Sequence, residues 1–203
     1  MGMKPITKER PILFSGAMVI AILNGSKTQT RRAVKLNASG RVELKGHNWH
    51  LDDPSAVNAC PYGQPGDRLW VKETHLPKAS GIIYRADYDM VEAAGLGGMY
   101  GGWKPSIFCK REYSRILLEI VSVRIERLQE ITPYDAVSEG LSRGLTLGDN
   151  PGFGLPEWNQ QRFRISPADA YQSLWESING PESWDANPFV WVIEFKRVEG
   201  GDA

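Results

Sequence analysis

From Arg115 to Leu128 apolar and polar residues alternate, with Ile116, Leu118 and Ile120 on one parity and Val121, Val123 and Ile125 on the other. Successive side chains of a strand point to opposite faces, so this run reads as a long strand with one face buried. The parity changes between Ile120 and Val121. An extra residue there means a bulge or sharp bend, the device that lets a sheet curve towards a barrel.

The remaining pattern is consistent with that strand lying in a mainly β fold. Pro11 to Phe14 reads as a short strand, and Ser15 can cap a helix running to Leu23, with Gly25 as its stop. Thr28 to Val34 reads as a strand carrying Thr28, Thr30 and Arg32 on one face and Gln29 and Arg31 on the other. Residues 37–58 suggest a surface hairpin or arm. Pro61 to Asp67 is a dense turn signal feeding a strand from Arg68 to Thr74, and Ile82 to Arg85 is another strand candidate. Five glycines between Gly95 and Gly102 predict a loop, without a GxGxxG or Walker pattern to cradle phosphate.

Thr132 caps a short helix with Pro133 in its first turn, ending at Glu139-Gly140. The Gly- and Pro-rich stretch 142–166 reads as an insertion. Pro167 to Ile178 has the period of an amphipathic helix, and Phe189 to Phe195 reads as a strand buried on both faces. The expected fold is α+β, mainly β. It is a small β-barrel with peripheral helices in one domain over 1–203, with a core of 12–197 and insertions at 36–60, 86–104 and 142–166.

Charge narrows the function classes. Lys+Arg and Asp+Glu both total 24, so the formal net charge is zero. A surface that tracks duplex phosphates usually carries a basic excess, which leaves a local basic pocket as the alternative. Two separated cysteines, Cys60 and Cys109, predict no disulfide framework and suit a reducing cytoplasm. No signal peptide or membrane span is visible, so no membrane partner is expected.

The local basic pocket has an obvious location. Residues 25–32 read Gly-Ser-Lys-Thr-Gln-Thr-Arg-Arg, where cations alternate with hydroxyls just past a helix stop. Such an arrangement suits an anion pocket, or a hydroxyl nucleophile flanked by cations. His47-x-x-His50 has metal-like spacing but no further ligands in view, so no metal and no cofactor are expected. Trp70, Trp175 and Trp191 fall in periodic segments and read as core. Trp49, Trp103, Trp158 and Trp184 fall in predicted loops, and with Tyr62 they are candidates to stack on a base.

The short helix followed by Gly-x-Lys-Thr-x-Thr-x-Arg, the Pro65-Gly66-Asp67 before a strand, and the closing Val192-Ile193-Glu194-Phe195 resemble the ASCH domain of the PUA-like superfamily. Cys60 to Thr74 and Trp184 to Pro188 resemble the phage- and prophage-encoded members. The resemblance implies a PUA-like β-barrel with a cleft beside the first helix, and a role in binding RNA or modified nucleosides. One bacterial branch removes the acetyl group from N(4)-acetylcytidine. Its catalytic lysine, threonine and glutamate match Lys27, Thr30 and Glu139, and the motif arginine matches Arg32.

Lys27, Thr30 and Glu139 are thus the candidate catalytic residues, and Thr28, Arg31, Arg32 and Tyr62 the candidate binding residues. Lys27 can act as a base only when neutral. A free lysine titrates near roughly 10.4, so burial and the neighbouring arginines must bring it to about 7. Three readings stay open. One is amide hydrolysis on a modified nucleobase, one a non-catalytic module for single-stranded RNA or another partner, and one a ribonuclease.

Overall fold

A computed structural model describes residues 7–44, 46–88, 102–147, 150–155, 164 and 166–198. Its centre is a five-stranded sheet. The strands are β1 (Glu9–Leu13), β2 (Gln29–Ala33), β5 (Arg68–Lys72), β8 (Leu117–Arg127) and β11 (Phe189–Arg197), in the spatial order β1-β5-β8-β11-β2. β1 and β5 are parallel, and the other neighbours are antiparallel. Three two-stranded hairpins flank it: β3 (Val42–Leu44) with β4 (His47–Trp49), β6 (His75–Lys78) with β7 (Gly81–Tyr84), and β9 (Ser142–Leu147) with β10 (Asn150–Gly154).

The long alternating run is β8, and the parity change is a bulge at Val121. Glu194 of β11 opposes Ser122 and the next residue, Phe195, opposes Ile120, so Val121 is left over and exposed. This extra residue keeps Leu118 and Ile120 in the core while the following half of β8 presents Ser122, Arg124 and Glu126 on one face. β11 lies between β8 and β2, which is why Val190 to Ile193 are all buried.

The fold is mixed and mainly β, but the sheet is open. Among the described residues no ladder joins β1 to β2, so the expected closed barrel is not seen. The outer edge of β2 is occupied at its start by another segment: the Thr28 amide donates to the Ser138 carbonyl, and Lys27 pairs with Glu139 as an isolated antiparallel bridge. Lys27 and Thr28, just before β2, thus pair with the end of the short helix at 133–138 and not with β1.

Two helices cover the core, α1 (Gly16–Leu23) and α3 (Pro167–Asn179), and a short one, α2 (Pro133–Ser138), adjoins β2 and α3. Ser15 caps α1 by accepting from the Met18 amide, and Asn24 and Gly25 end it, Gly25 at a φ of +80°. Thr132 and Asp135 form a reciprocal capping box on α2. α1 contributes Met18, Val19 and Ile22 to the apolar cluster, and α3 contributes Ala170, Tyr171, Leu174 and Trp175.

Two sequence expectations shift. The strand expected from Arg68 to Thr74 ends at Lys72, and β6 starts at His75. Most of the Gly95–Gly102 segment, and Trp158, lie outside the described residues. No described helix is long and apolar enough to cross a membrane.

Candidate functional site

The octet 25–32 is where α1 turns into β2. The Lys27 amide donates to Ala21 O at 2.9 Å, folding the chain back over the end of α1 and sending the lysine side chain inward. Glu139 is the C-terminal cap of α2, and Gly140 follows it at a φ of +97°. A Cβ on Gly140 would stand 2.9 Å from Ala21 Cβ and 3.2 Å from Lys27 Cβ. Only a glycine lets the two helix ends cross this closely.

That crossing brings Lys27 and Glu139 together. Lys27 Nζ donates to Glu139 Oε2 at 2.7 Å and to the Glu139 carbonyl at 2.8 Å. The lysine side chain is wholly inaccessible and the glutamate's only 3% exposed. The other carboxylate oxygen, Oε1, lies 3.4 Å from Arg31 Nη1. Burial holds Lys27 below the ordinary lysine value. The charge and hydrogen bond of Glu139 oppose this, and Arg32 and Arg31 reinforce it.

Arg31 is equally enclosed. Its guanidinium also pairs with Glu126 and, at 3.4 Å, with Asp135. From these carboxylates the network continues through Arg124, which reaches Glu126 at 2.9 Å, Asp135 at 3.0 Å and Glu194 at 2.5 Å. A chain of alternating charges therefore runs from the interior at Lys27 to the surface at Glu194, spanning β2, β8, β11 and α2. Arg31, expected to bind substrate, lines the recess described next and is paired with three carboxylates.

A small recess of about 50 Å³ opens beside this network, lined by Met18, Thr30, Arg31, Arg32, Ala33, Glu139, Tyr171, Leu174, Trp175, Ile178 and Asn179. Thr30 and Glu139 share its wall. Lys27 does not reach it and stands behind Glu139. Among the described residues the Thr30 hydroxyl makes no hydrogen bond to Lys27 or to Glu139. Arg32 lines the recess, donates to Leu13 O at 2.7 Å and lies over the Phe14 ring at 5.4 Å. Burial and the Glu139 charge raise the Tyr171 phenol well above its usual range, so it stays a neutral hydroxyl.

Two further candidates sit elsewhere. Thr28 is exposed and lines a separate shallow groove with Gln29, Val121, Tyr134, Ser138, Glu194 and Phe195. It immediately precedes β2 and does not line the recess that Thr30 lines. Tyr62 lines a third recess, described below, on the far side of Ala33. Among the loop aromatics, Trp184 packs edge-on against Tyr171 at 6.4 Å, and Trp49 lies stacked with His47 at 5.9 Å.

The recess aromatics come from α3, not from loops. Sequence periodicity predicted that helix and read Trp175 as core, but gave no sign that the helix borders Glu139. The carboxylate partners of Arg31 were also missed. Their signal was Arg124-x-Glu126 in the alternating strand, two charges forced onto one face by the strand period.

No described group of three or more His, Cys, Asp and Glu side chains could hold a metal ion. Both cysteines are buried, and burial pushes the Cys60 thiol up to about 11, which suppresses its thiolate. Comparison of the chain with known families, curated proteins and solved structures returns no match.

Proposed function

We propose that this chain is an ASCH-type protein of PUA-like architecture that binds a nucleoside or single-stranded RNA and hydrolyses an amide on a modified nucleobase. It would act in the cytoplasm of a bacterial cell, as a phage or prophage product, and use no cofactor. The observation that carries the reading is Glu139. Its carboxylate is buried, held by two cations, and open to the same recess as Thr30.

In this reading Thr30 Oγ bonds to the amide carbon and its proton passes to Glu139. Arg32, on the same wall, faces the oxygen on which negative charge develops. The C–N bond then breaks, and Glu139 returns the proton to the leaving nitrogen. Water, deprotonated by the same carboxylate, releases the acyl group from Thr30. Lys27 is a positioning residue, because it contacts Glu139 and not the recess. The sequence reading made it the base, and the geometry favours the carboxylate for that role.

A second reading is supported by the absent Thr30 contact. Lys27 and Glu139 satisfy one another, as in an ion pair that only shapes a binding pocket. A ribonuclease has less support, because no histidine lines the recess to serve as acid or base. Incubation with N(4)-acetylcytidine and related N-acyl nucleosides decides. Hydrolysis by wild type that is lost in Thr30→Ala and Glu139→Gln is the expected result. No turnover of any acyl nucleoside leaves only the binding module.

A further inference from the structure

The recess beside Glu139 is too small for a nucleoside. At about 50 Å³ it has room for a few waters or a short acyl group, whereas sites for whole small molecules span roughly 300–1,000 Å³. A recess of that larger size lies next to it. It measures about 380 Å³, and its walls include Lys35, Glu43, Pro61, Tyr62 and Trp191.

Ala33, the last residue of β2, contributes to the walls of both cavities, so they adjoin at this residue. Arg32 links them electrostatically. It lines the small recess, and its charge opposes the burial that raises the Tyr62 phenol. Neutral Tyr62 offers an apolar ring with a hydroxyl at its tip, the kind of surface on which a base stacks. Lys35 and Glu43 supply a donor and an acceptor for the polar edge of a base or for sugar hydroxyls.

We propose that the ligand is divided between the two cavities. The base and sugar occupy the larger recess against Tyr62, and only the acylated exocyclic nitrogen reaches across Ala33 to Thr30 and Glu139. Ala33, the residue common to both walls, then borders that passage and acts as a specificity-determining residue. The small recess restricts the acyl group to a short chain. This inference rests on the nucleoside reading above, and adds where the body of the ligand sits.

Calorimetric titration with cytidine, which lacks the acyl group, tests the larger recess independently of any hydrolysis. Tyr62→Phe should bind cytidine like wild type, while Tyr62→Leu, which keeps apolar volume without an aromatic face, should bind it roughly tenfold or more weakly. Ala33→Leu should weaken N(4)-acetylcytidine binding by a larger factor than it weakens cytidine binding. Cytidine binding that is indifferent to Tyr62→Leu overturns the division while leaving the nucleoside reading in place. Absence of any cytidine or N(4)-acetylcytidine binding to wild type overturns both. Tighter binding of N(4)-acetylcytidine in Ala33→Leu than in wild type removes Ala33 from the passage.

Discussion

Lys27 Nζ lies 2.7 Å from Glu139 Oε2, and the two residues are 112 positions apart in the chain. The end of α1 and the end of α2 meet at this pair, so it is both a tie between distant segments and the back wall of the recess. Burying two charges is costly, and the pair persists because each retains further partners: the Glu139 carbonyl for the lysine, and Arg31 for the carboxylate.

The two halves of the pair should not be equivalent in stability. Glu139→Gln leaves Lys27 and Arg31 facing a neutral amide, and should cost about 3–5 kcal/mol in urea unfolding. Lys27→Met leaves Glu139 still paired with Arg31 and should cost less. A larger loss for Lys27→Met than for Glu139→Gln would contradict the network as described.

Lys27 also gives a pH dependence of definite sign. Burial lowers its folded value below the ordinary 10.5, so the unfolded chain binds that proton more tightly. The resulting cost to stability is fully present below the folded value and disappears as pH rises towards 10.5. The stability of wild type relative to Lys27→Met should therefore improve with rising pH in the alkaline range. A difference that stays flat between neutrality and that limit would show Lys27 titrating normally.

Asp135 has the opposite dependence. Burial works to raise its carboxyl, but hydrogen bonds from the Thr132 hydroxyl and amide and the charge of Arg31 prevail, holding it below the usual carboxylate range. It contributes stability above its unfolded value, and that contribution is lost as pH falls through the folded one. Asp135→Asn should flatten the acid limb of the stability profile and lower stability at neutral pH by about 1–3 kcal/mol. Identical acid limbs would remove Asp135 from the network.

Gly140→Ala tests the crossing itself. The new methyl would sit 2.9 Å from Ala21 Cβ at a backbone φ of +97°, so it meets both a steric and a conformational penalty. A loss of about 2–4 kcal/mol is expected, with a change in near-ultraviolet circular dichroism from the displaced aromatics nearby. Gly25→Ala has a similar φ but open space around it, and should cost only about 1 kcal/mol. Equal losses at the two positions would mean that contact with Ala21 and Lys27 is unimportant.

Much of this fold was legible locally. The Ser15 and Thr132 caps, the stop at Gly25 and the bulge at Val121 each follow from a few adjacent residues whose chemistry acts over short range. The barrel was not. Closure depends on long-range pairing, and just before β2 Lys27 and Thr28 pair with Glu139 and Ser138, more than a hundred positions away. The site was legible to the same degree. Lys27 and Thr30 were named from the motif and Glu139 from the family resemblance, but that Glu139 and not Lys27 faces the recess depends on how α1 and α2 cross. Thr28 and Tyr62 line cavities separate from the Thr30 recess, which their local sequence could not reveal.

In the proposed reaction Thr30 is a nucleophile served by Glu139, so an acyl group must pass through its hydroxyl. Intact-protein and peptide mass spectrometry after brief mixing with N(4)-acetylcytidine detects that intermediate. A transient gain of one acetyl group on the peptide bearing Thr30 is expected in wild type, and none in Thr30→Ala or Glu139→Gln. Release of cytidine with acetyl never found on Thr30, or undiminished in Thr30→Ala, would contradict it.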